Sequence, residues 1–217
     1  MDYFLNELWI SRFALAEGLC RTVEISVISI TLGTLAGLLA GIALTYGRLP
    51  LRLLVRGYVD VIRGTPVLVL VLACFYMPSV FRVSLDALTA GVLALTLFCA
   101  GHVAEILRGA LIAIPPGQTE AARSIGLTFW KMLAYVLLPQ ALRTIMPTWI
   151  NTGAELVKAS TLVSIIGVGE LLLKTQEIVG RNFLTLDFYL VAGLLYLLMN
   201  YGIERLGKAV ERRIAQP

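Results

Sequence analysis

His102, Glu105 and Arg108 fall within two helical turns of one another, at the end of a run that is otherwise free of charge. Glu155 and Lys158 repeat the acid-x-x-base spacing further along. An ionisable group in an apolar, membrane-type setting costs about 2.5–3.5 kcal/mol to insert, so such groups are paired or functional. Two chemistries fit Glu105–Arg108: a structural ion pair, or a gate or ligand contact. For Glu155–Lys158 the spacing favours pairing over contact with a solute. His102 fits a hydrogen-bonded packing residue or a ligand contact on the side of Glu105. Ser, His and Glu all occur, but no nucleophile–base spacing stands out, so enzymatic chemistry is the weakest reading. Cys20, Cys74 and Cys99 are isolated in apolar surroundings, which suits small buried hydrophobes rather than metal or disulfide chemistry.

A second polar feature is the stretch "PGQTEAARSIGLTFWKMLAYVLLPQAL", Pro116–Leu142. It interrupts a greasy chain with Glu120, Arg123, Lys131 and helix-breaking prolines. Thr119 is placed to cap a short helix, Glu120 to sit on its dipole, and Gly126 to end it with positive φ. Ala121 and Ala122 leave a flat surface that a partner's groove can approach.

These groups need elements to hold them. The 217 residues are 58% hydrophobic, above the roughly 45–50% of soluble domains. Charge-free runs of 23, 18, 18 and 16 residues follow Glu24, Arg63, Asp86 and Asp187. A spanning helix needs about 20 apolar residues. The runs predict spans at about Ile25–Tyr46, Thr65–Val80, Ala87–Leu107 and Phe188–Ile203, with Glu24 interfacial. Gly33, Gly37 and Gly41 line one face of the first, a seam for close helix packing. Arg48, Arg52 and Arg56 form a juxtamembrane basic row. Pro115–Pro116 ends the third span. Pro139 and Pro147 predict a broken fourth span at about Gln140–Val157, followed by "STLVSIIGVG", too short to cross and held within the protein. Five spans place the termini on opposite sides. With the C-terminus inside, 12 Lys/Arg lie inside and 6 outside, so the positive-inside bias sets the N-terminus out and the Pro116–Leu142 loop in the cytoplasm. The start "MDYFLNELW" has no basic n-region, so no cleavable signal is expected. No repeat or linker divides residues 1–217, which read as one membrane domain. The net charge of +4 does not imply nucleic acid.

"EAARSIGLTFWKMLAYVLLP" resembles the EAA loop of ABC importer permeases. Glu120, Ala121, Ala122, Gly126, Leu138 and Pro139 match its spacing, with Val136 where Ile is usual. "RGTP" (Arg63–Pro66), "AEILRGAL" (Ala104–Leu111), "LPQALR" and "LVKASTLVSIIG" resemble the polar amino-acid branch, the histidine/glutamine/arginine type. The resemblance implies an all-α integral membrane protein of the type I importer permease fold, with about five transmembrane helices and a cytoplasmic coupling helix in a loop at about 115–139. Glu120, Ala121, Ala122, Gly126 and Pro139 would couple it to a cytoplasmic ABC ATPase dimer. ATP and Mg would sit on that partner, because this chain has no G-x-x-x-x-G-K-[ST] loop. The chain itself would be non-catalytic and need no cofactor. An extracytoplasmic binding protein would deliver a small solute, an amino acid, for transport by alternating access across a bacterial inner membrane. Candidate pathway residues are His102, Glu105, Ser160 and Thr161. Where the family commonly shows K-D-T-S, Ala159 replaces the acid in "KAST", which points to a heterodimer with a second, similar permease or to a different substrate; a homodimer is the alternative assembly. Other readings are a permease for an opine, osmolyte or oxyanion, and an ATPase-independent secondary transporter or channel.

Overall fold

The computed structural model describes residues 2–215, with side chains throughout except Asp2, Leu206 and residues 210–215. Arg212 and Arg213 of the basic tail therefore lie outside the described side chains. The described chain is helical: α1 (Asp2–Tyr46), α2 (Leu49–Gly64), α3 (Val67–Val80), α4 (Ala87–Ala113), α5 (Pro116–Ser124), α6 (Phe129–Met132), α7 (Leu138–Ala159), α8 (Leu171–Asn182) and α9 (Thr185–Ala215). Among the described residues α1, α4 and α9 are each long and apolar enough to cross a bilayer, and two bent pairs, α2 with α3 and the α6–α7 rod with α8, bring the number to as many as five when each pair is taken as one span.

α1 differs most from expectation. Its 45 residues make a rod of about 67 Å, twice the roughly 30 Å hydrocarbon core. Arg21 and Glu24 are not its end; they pair across one turn at 2.8 Å. Charges in this first half also reach α8: Lys174 Nζ lies 3.8 Å from Glu17, and Arg181 lies 3.4 Å from Glu7. Cys20 on this half is exposed, contrary to the buried reading; Cys99 is buried.

The second half of α1 packs on α4. A Cβ on Gly33 would stand 2.5 Å from Cys99 Cβ, one on Gly37 2.6 Å from Val103 Cβ, and one on Gly41 2.8 Å from the Ala104 carbonyl. These glycines let the two backbones approach, as the spacing predicts. The main core lies beside this seam, where Ile25, Val71, Leu95, Val103, Leu156 and Val163 are buried together.

α2 meets α3 at 113°. Thr65 precedes Pro66 and is extended (φ −102°, ψ 132°), as a residue before proline must be. α3 has only 14 residues, about 21 Å, so it is short of a full crossing. α4 runs to Ala113, six residues past the expected end, before the prolines stop it.

The fourth span is not broken where the prolines predict. One rod runs from Phe129 to Ile166. A π turn at Leu133–Leu137 widens the helix ahead of Pro139, whose ring would clash with the carbonyl four residues back in a regular helix. Gln140 Nε2 donates to the Val136 carbonyl there at 2.7 Å. Pro147 is absorbed inside α7. The segment Ser160–Ile166 continues as a 3₁₀ turn with Val163, Ser164 and Ile166 buried, and Gly167 (φ 88°) ends it. α8 was not expected from hydropathy. α9 extends from Thr185 to Ala215.

Candidate functional site

α7 carries Thr148, Asn151, Thr152 and Glu155 as a polar stripe at helical spacing. α4 turns His102, Glu105 and Ile106 toward it, and α2 adds Arg63. Together they line a cleft of about 290 Å³. The seam glycines hold α4 on α1, and Gly101 lets α2 close over α4: a Cβ there would stand 2.9 Å from Ile62 Cγ2.

The two carboxylates of the cleft have opposite surroundings. Glu105 Oε2 accepts from Arg108 Nε at 3.0 Å and from Arg56 Nη1 at 3.1 Å; Arg108 Nη2 binds its second oxygen. Arg56 also approaches Asp60 at 3.7 Å. One basic residue of the α2 row thus turns inward and ties α2 to α4. Glu155 is exposed to the cleft. It forms no ion pair with Lys158, nor with any other described residue. The pairing expected from the spacing is therefore corrected. Lys158 is exposed and does not line the cleft. Arg63 is likewise outside every ion pair among the described residues.

His102 Nδ1 lies 2.9 Å from the Phe98 carbonyl, and its ring rests on Phe98 with centroids 4.2 Å apart. A carbonyl only accepts, so Nδ1 donates and Nε2 is the ring nitrogen left for another partner. Ser160 and Thr161 do not reach the cleft. Ser160 is buried and donates to the Val157 carbonyl at 2.7 Å. Thr161 donates to the Lys158 carbonyl at 2.7 Å. Among the described residues no cluster of three or more His, Cys, Asp or Glu could hold a metal.

The polar loop is a separate feature. α5 begins after Pro115, so Thr119 lies inside the helix and caps nothing, and Glu120 lies beyond the first turn. Gly126 has φ 78°. Its N–H donates to the Arg123 carbonyl at 2.9 Å, and Leu127 N–H donates to Ala122 at 3.1 Å, closing the helix end. Glu120 and Ala121 are exposed. Ala122 is not part of a flat outer surface: it is buried with Leu107, Leu111, Met132 and Leu137. Its methyl ties the loop to the end of α4. Ile125 and Trp130 stand exposed beside Gly126.

Three groups were missed in the sequence, the first being Arg63, which appeared as the border of a charge-free run and not as a site candidate, and which lines the cleft. Asn151 was legible in principle, because Thr148, Asn151 and Glu155 recur at i, i+3 and i+7 in an apolar helix. Glu170 was not singled out. It is fully buried, caps α8 through Leu173 N–H at 2.9 Å, and accepts from Tyr196 of α9 at 2.6 Å. Thr22 of α1 joins it at 3.4 Å and accepts from Leu171 N–H at 3.1 Å. This network locks α1, α8 and α9 together.

Comparison with known proteins agrees with this geometry. Residues 33–216 match the family described as binding-protein-dependent transport system inner membrane component. The glutamine transport system permease protein GlnP of Escherichia coli (strain K12) is 33% identical over 216 residues, 99% of each chain. The L-cystine transport system permease protein TcyB of Bacillus subtilis (strain 168) is 35% identical over 201 residues, 92% of this chain and 86% of that one. A chain of the solved amino acid ABC transporter with histidines superposes with a TM-score of 0.88 at 33% identity, covering 97% of this chain and 98% of that one. A chain matched along almost its whole length by permease subunits, and folded as one of them, belongs to the binding-protein-dependent transport system inner membrane component family, the membrane subunits that work with a separate ATPase and a binding protein.

Proposed function

We propose that this chain carries a zwitterionic polar amino acid through the cleft between α2, α4 and α7. The observation that supports this reading is a pair of opposite charges, Arg63 and Glu155, that line one cleft and pair with nothing else described. Arg63 suits the carboxylate of the solute and Glu155 its ammonium. Asn151 and Thr148 offer neutral hydrogen bonds, and His102 presents Nε2. Glu105, a pathway candidate together with His102, Ser160 and Thr161, serves as the anchor of α2 rather than as a ligand. Ser160 and Thr161 act behind the wall, holding the 3₁₀ turn. The relatives named for glutamine and cystine transport agree with a substrate that presents both an amino and a carboxylate group.

Residues 1–217 form one permease domain in this reading, with the N-terminus outside and the C-terminus in the cytoplasm. The loop at 115–139 then faces an ABC ATPase dimer. Glu120, Ala121 and Gly126 present the docking surface, extended by exposed Ile125 and Trp130. Ala122 and Pro139 transmit the motion, Ala122 through its burial under α4 and Pro139 through the π turn. A second permease subunit completes the pathway, and Ala159 favours a similar but non-identical chain.

The test is uptake of radiolabelled amino acids by proteoliposomes holding the assembled complex and its binding protein. Glu155→Gln and Arg63→Gln should each abolish most uptake while the ATPase still co-purifies. Gly126→Val should lower co-purification of the ATPase, because φ 78° strains a β-branched residue. Normal uptake by Glu155→Gln and Arg63→Gln removes the cleft from the pathway; normal ATPase recovery with Gly126→Val removes the loop from coupling.

A further inference from the structure

α2 starts at the membrane border where α1 ends, with only Gly47 and Arg48 between them. From there it climbs along α4. Arg56 meets Glu105 at 3.1 Å, and Val59 is buried with Ala104. The Tyr58 hydroxyl donates to the Leu97 carbonyl at 2.8 Å, and a Cβ on Gly101 would stand 2.9 Å from Ile62 Cγ2. Rising positions on α2 meet falling positions on α4, so Arg48–Leu54 stay at the border while Val61 is carried deeper.

Two ridges run side by side on this climb, each at the i, i+4 spacing of one helix face. Arg48, Arg52 and Arg56 form the first; Leu49, Leu53, Gly57 and Val61 form the second. The basic ridge divides. Arg56 turns inward to Glu105, whereas Arg48 and Arg52 are exposed and enter no ion pair among the described residues. Arg52 Nη2 donates to the Gly47 carbonyl at 3.2 Å, which holds the guanidinium at the α1–α2 junction and leaves it further donors. Asp60, an acid of the same helix, lies two turns beyond Arg52, at 3.7 Å from Arg56. The apolar ridge is exposed at Leu49, Leu53 and Val61. Between the last two, nothing lies within 4 Å of a Cβ at Gly57, which leaves a notch.

Guanidinium groups at the border, with an apolar row leading inward beside them, repeat the order of a phospholipid: a charged headgroup, then an acyl chain. Two cations without an anion select a lipid of net negative charge. We propose that α2 carries a binding site for one anionic phospholipid. The phosphate meets Arg48 and Arg52, and an acyl chain follows Leu53, Gly57 and Val61. The lipid holds the outer edge of α2 while Arg56 ties the inner edge to Glu105.

The exposed Leu53 is the place for a local probe, the photoreactive residue p-benzoylphenylalanine. The assembled complex carrying it is reconstituted in nanodiscs of phosphatidylglycerol and phosphatidylcholine in equal amounts, with matched acyl chains. After irradiation, mass spectrometry identifies the adducts. Phosphatidylglycerol should be captured over phosphatidylcholine by about 10-fold or more. Arg48→Gln with Arg52→Gln should abolish that preference, whereas Arg48→Lys with Arg52→Lys should keep it. Lys158→Gln, which removes a cation elsewhere, should leave it unchanged. Native mass spectrometry of the unsubstituted complex should show retained phosphatidylglycerol, which keeps the test independent of any variant. Equal capture of the two lipids overturns the proposal. So does a preference that survives the glutamine pair, or an adduct with the ATPase or a second permease chain in place of lipid.

Discussion

Glu105 and Glu155 line one cleft and are held in opposite ways. Glu105 is gripped by Arg108 of its own helix and by Arg56 of α2. Glu155 meets no cation among the described residues. A carboxylate whose oxygens are taken by guanidinium groups has little left to offer a passing solute, and its removal strands two arginines. A carboxylate that stands free in a cleft has paid no partner and can exchange water for a ligand. Acid-x-x-base spacing is the same at both places. Spacing alone does not decide: Arg108 folds back onto Glu105, whereas Lys158 forms no ion pair among the described residues.

The comparison breaks most readily at Glu155. Glu155→Gln should weaken uptake by about 10-fold or more, the value of a charge-assisted hydrogen bond of about 1.5–3 kcal/mol. Thermal stability of the purified complex should stay within about 0.5 kcal/mol. Loss of stability with normal uptake per folded complex would reverse the roles of the two acids. Glu105→Gln should show the opposite profile, losing about 1–3 kcal/mol of stability as two arginines face each other without their shared anion. Differential scanning fluorimetry in detergent reads this directly. Exchanging charges, Glu105→Arg with Arg108→Glu, should restore stability only in part, because Arg56 then faces a cation. Full restoration would mean that Arg56 contributes nothing.

Arg56→Gln should cost less, about 0.5–1 kcal/mol, since Arg56 is partly exposed and Glu105 keeps Arg108. The smallest effect is expected at Lys158. Lys158→Gln should change stability and uptake by no more than about 0.5 kcal/mol. A marked loss would revive its pairing with Glu155.

Particular residues show what hydropathy and spacing can reach. Gly33, Gly37 and Gly41 announced the α1–α4 seam because a packing face at i, i+4, i+8 depends only on helix geometry. Gly126 announced a left-handed turn because few other residues tolerate it. The end of α4 at Ala113 was legible from Pro115–Pro116, which cannot continue a helix. The first half of α1 was hidden: Arg12, Glu17, Arg21 and Glu24 look like the border of a span, and only the fold reveals that α8 supplies Lys174 to Glu17 and Arg181 to Glu7. Pro139 misled, since a π turn that absorbs a proline leaves no mark in composition. Arg56 resembled its neighbours in the basic row, and its inward turn depends on where α4 places Glu105. Asn151 and Thr148 were within reach of the helical period and were passed over for charged residues.

The most direct measurement is equilibrium binding of a radiolabelled amino acid to the purified membrane complex without its binding protein, so that selection by that partner does not intervene. The wild-type complex should bind the zwitterion. Glu155→Gln should weaken binding by about 10-fold or more, whereas Lys158→Gln should leave it unchanged. Undiminished binding by Glu155→Gln, at matched complex concentration and stability, would contradict the account.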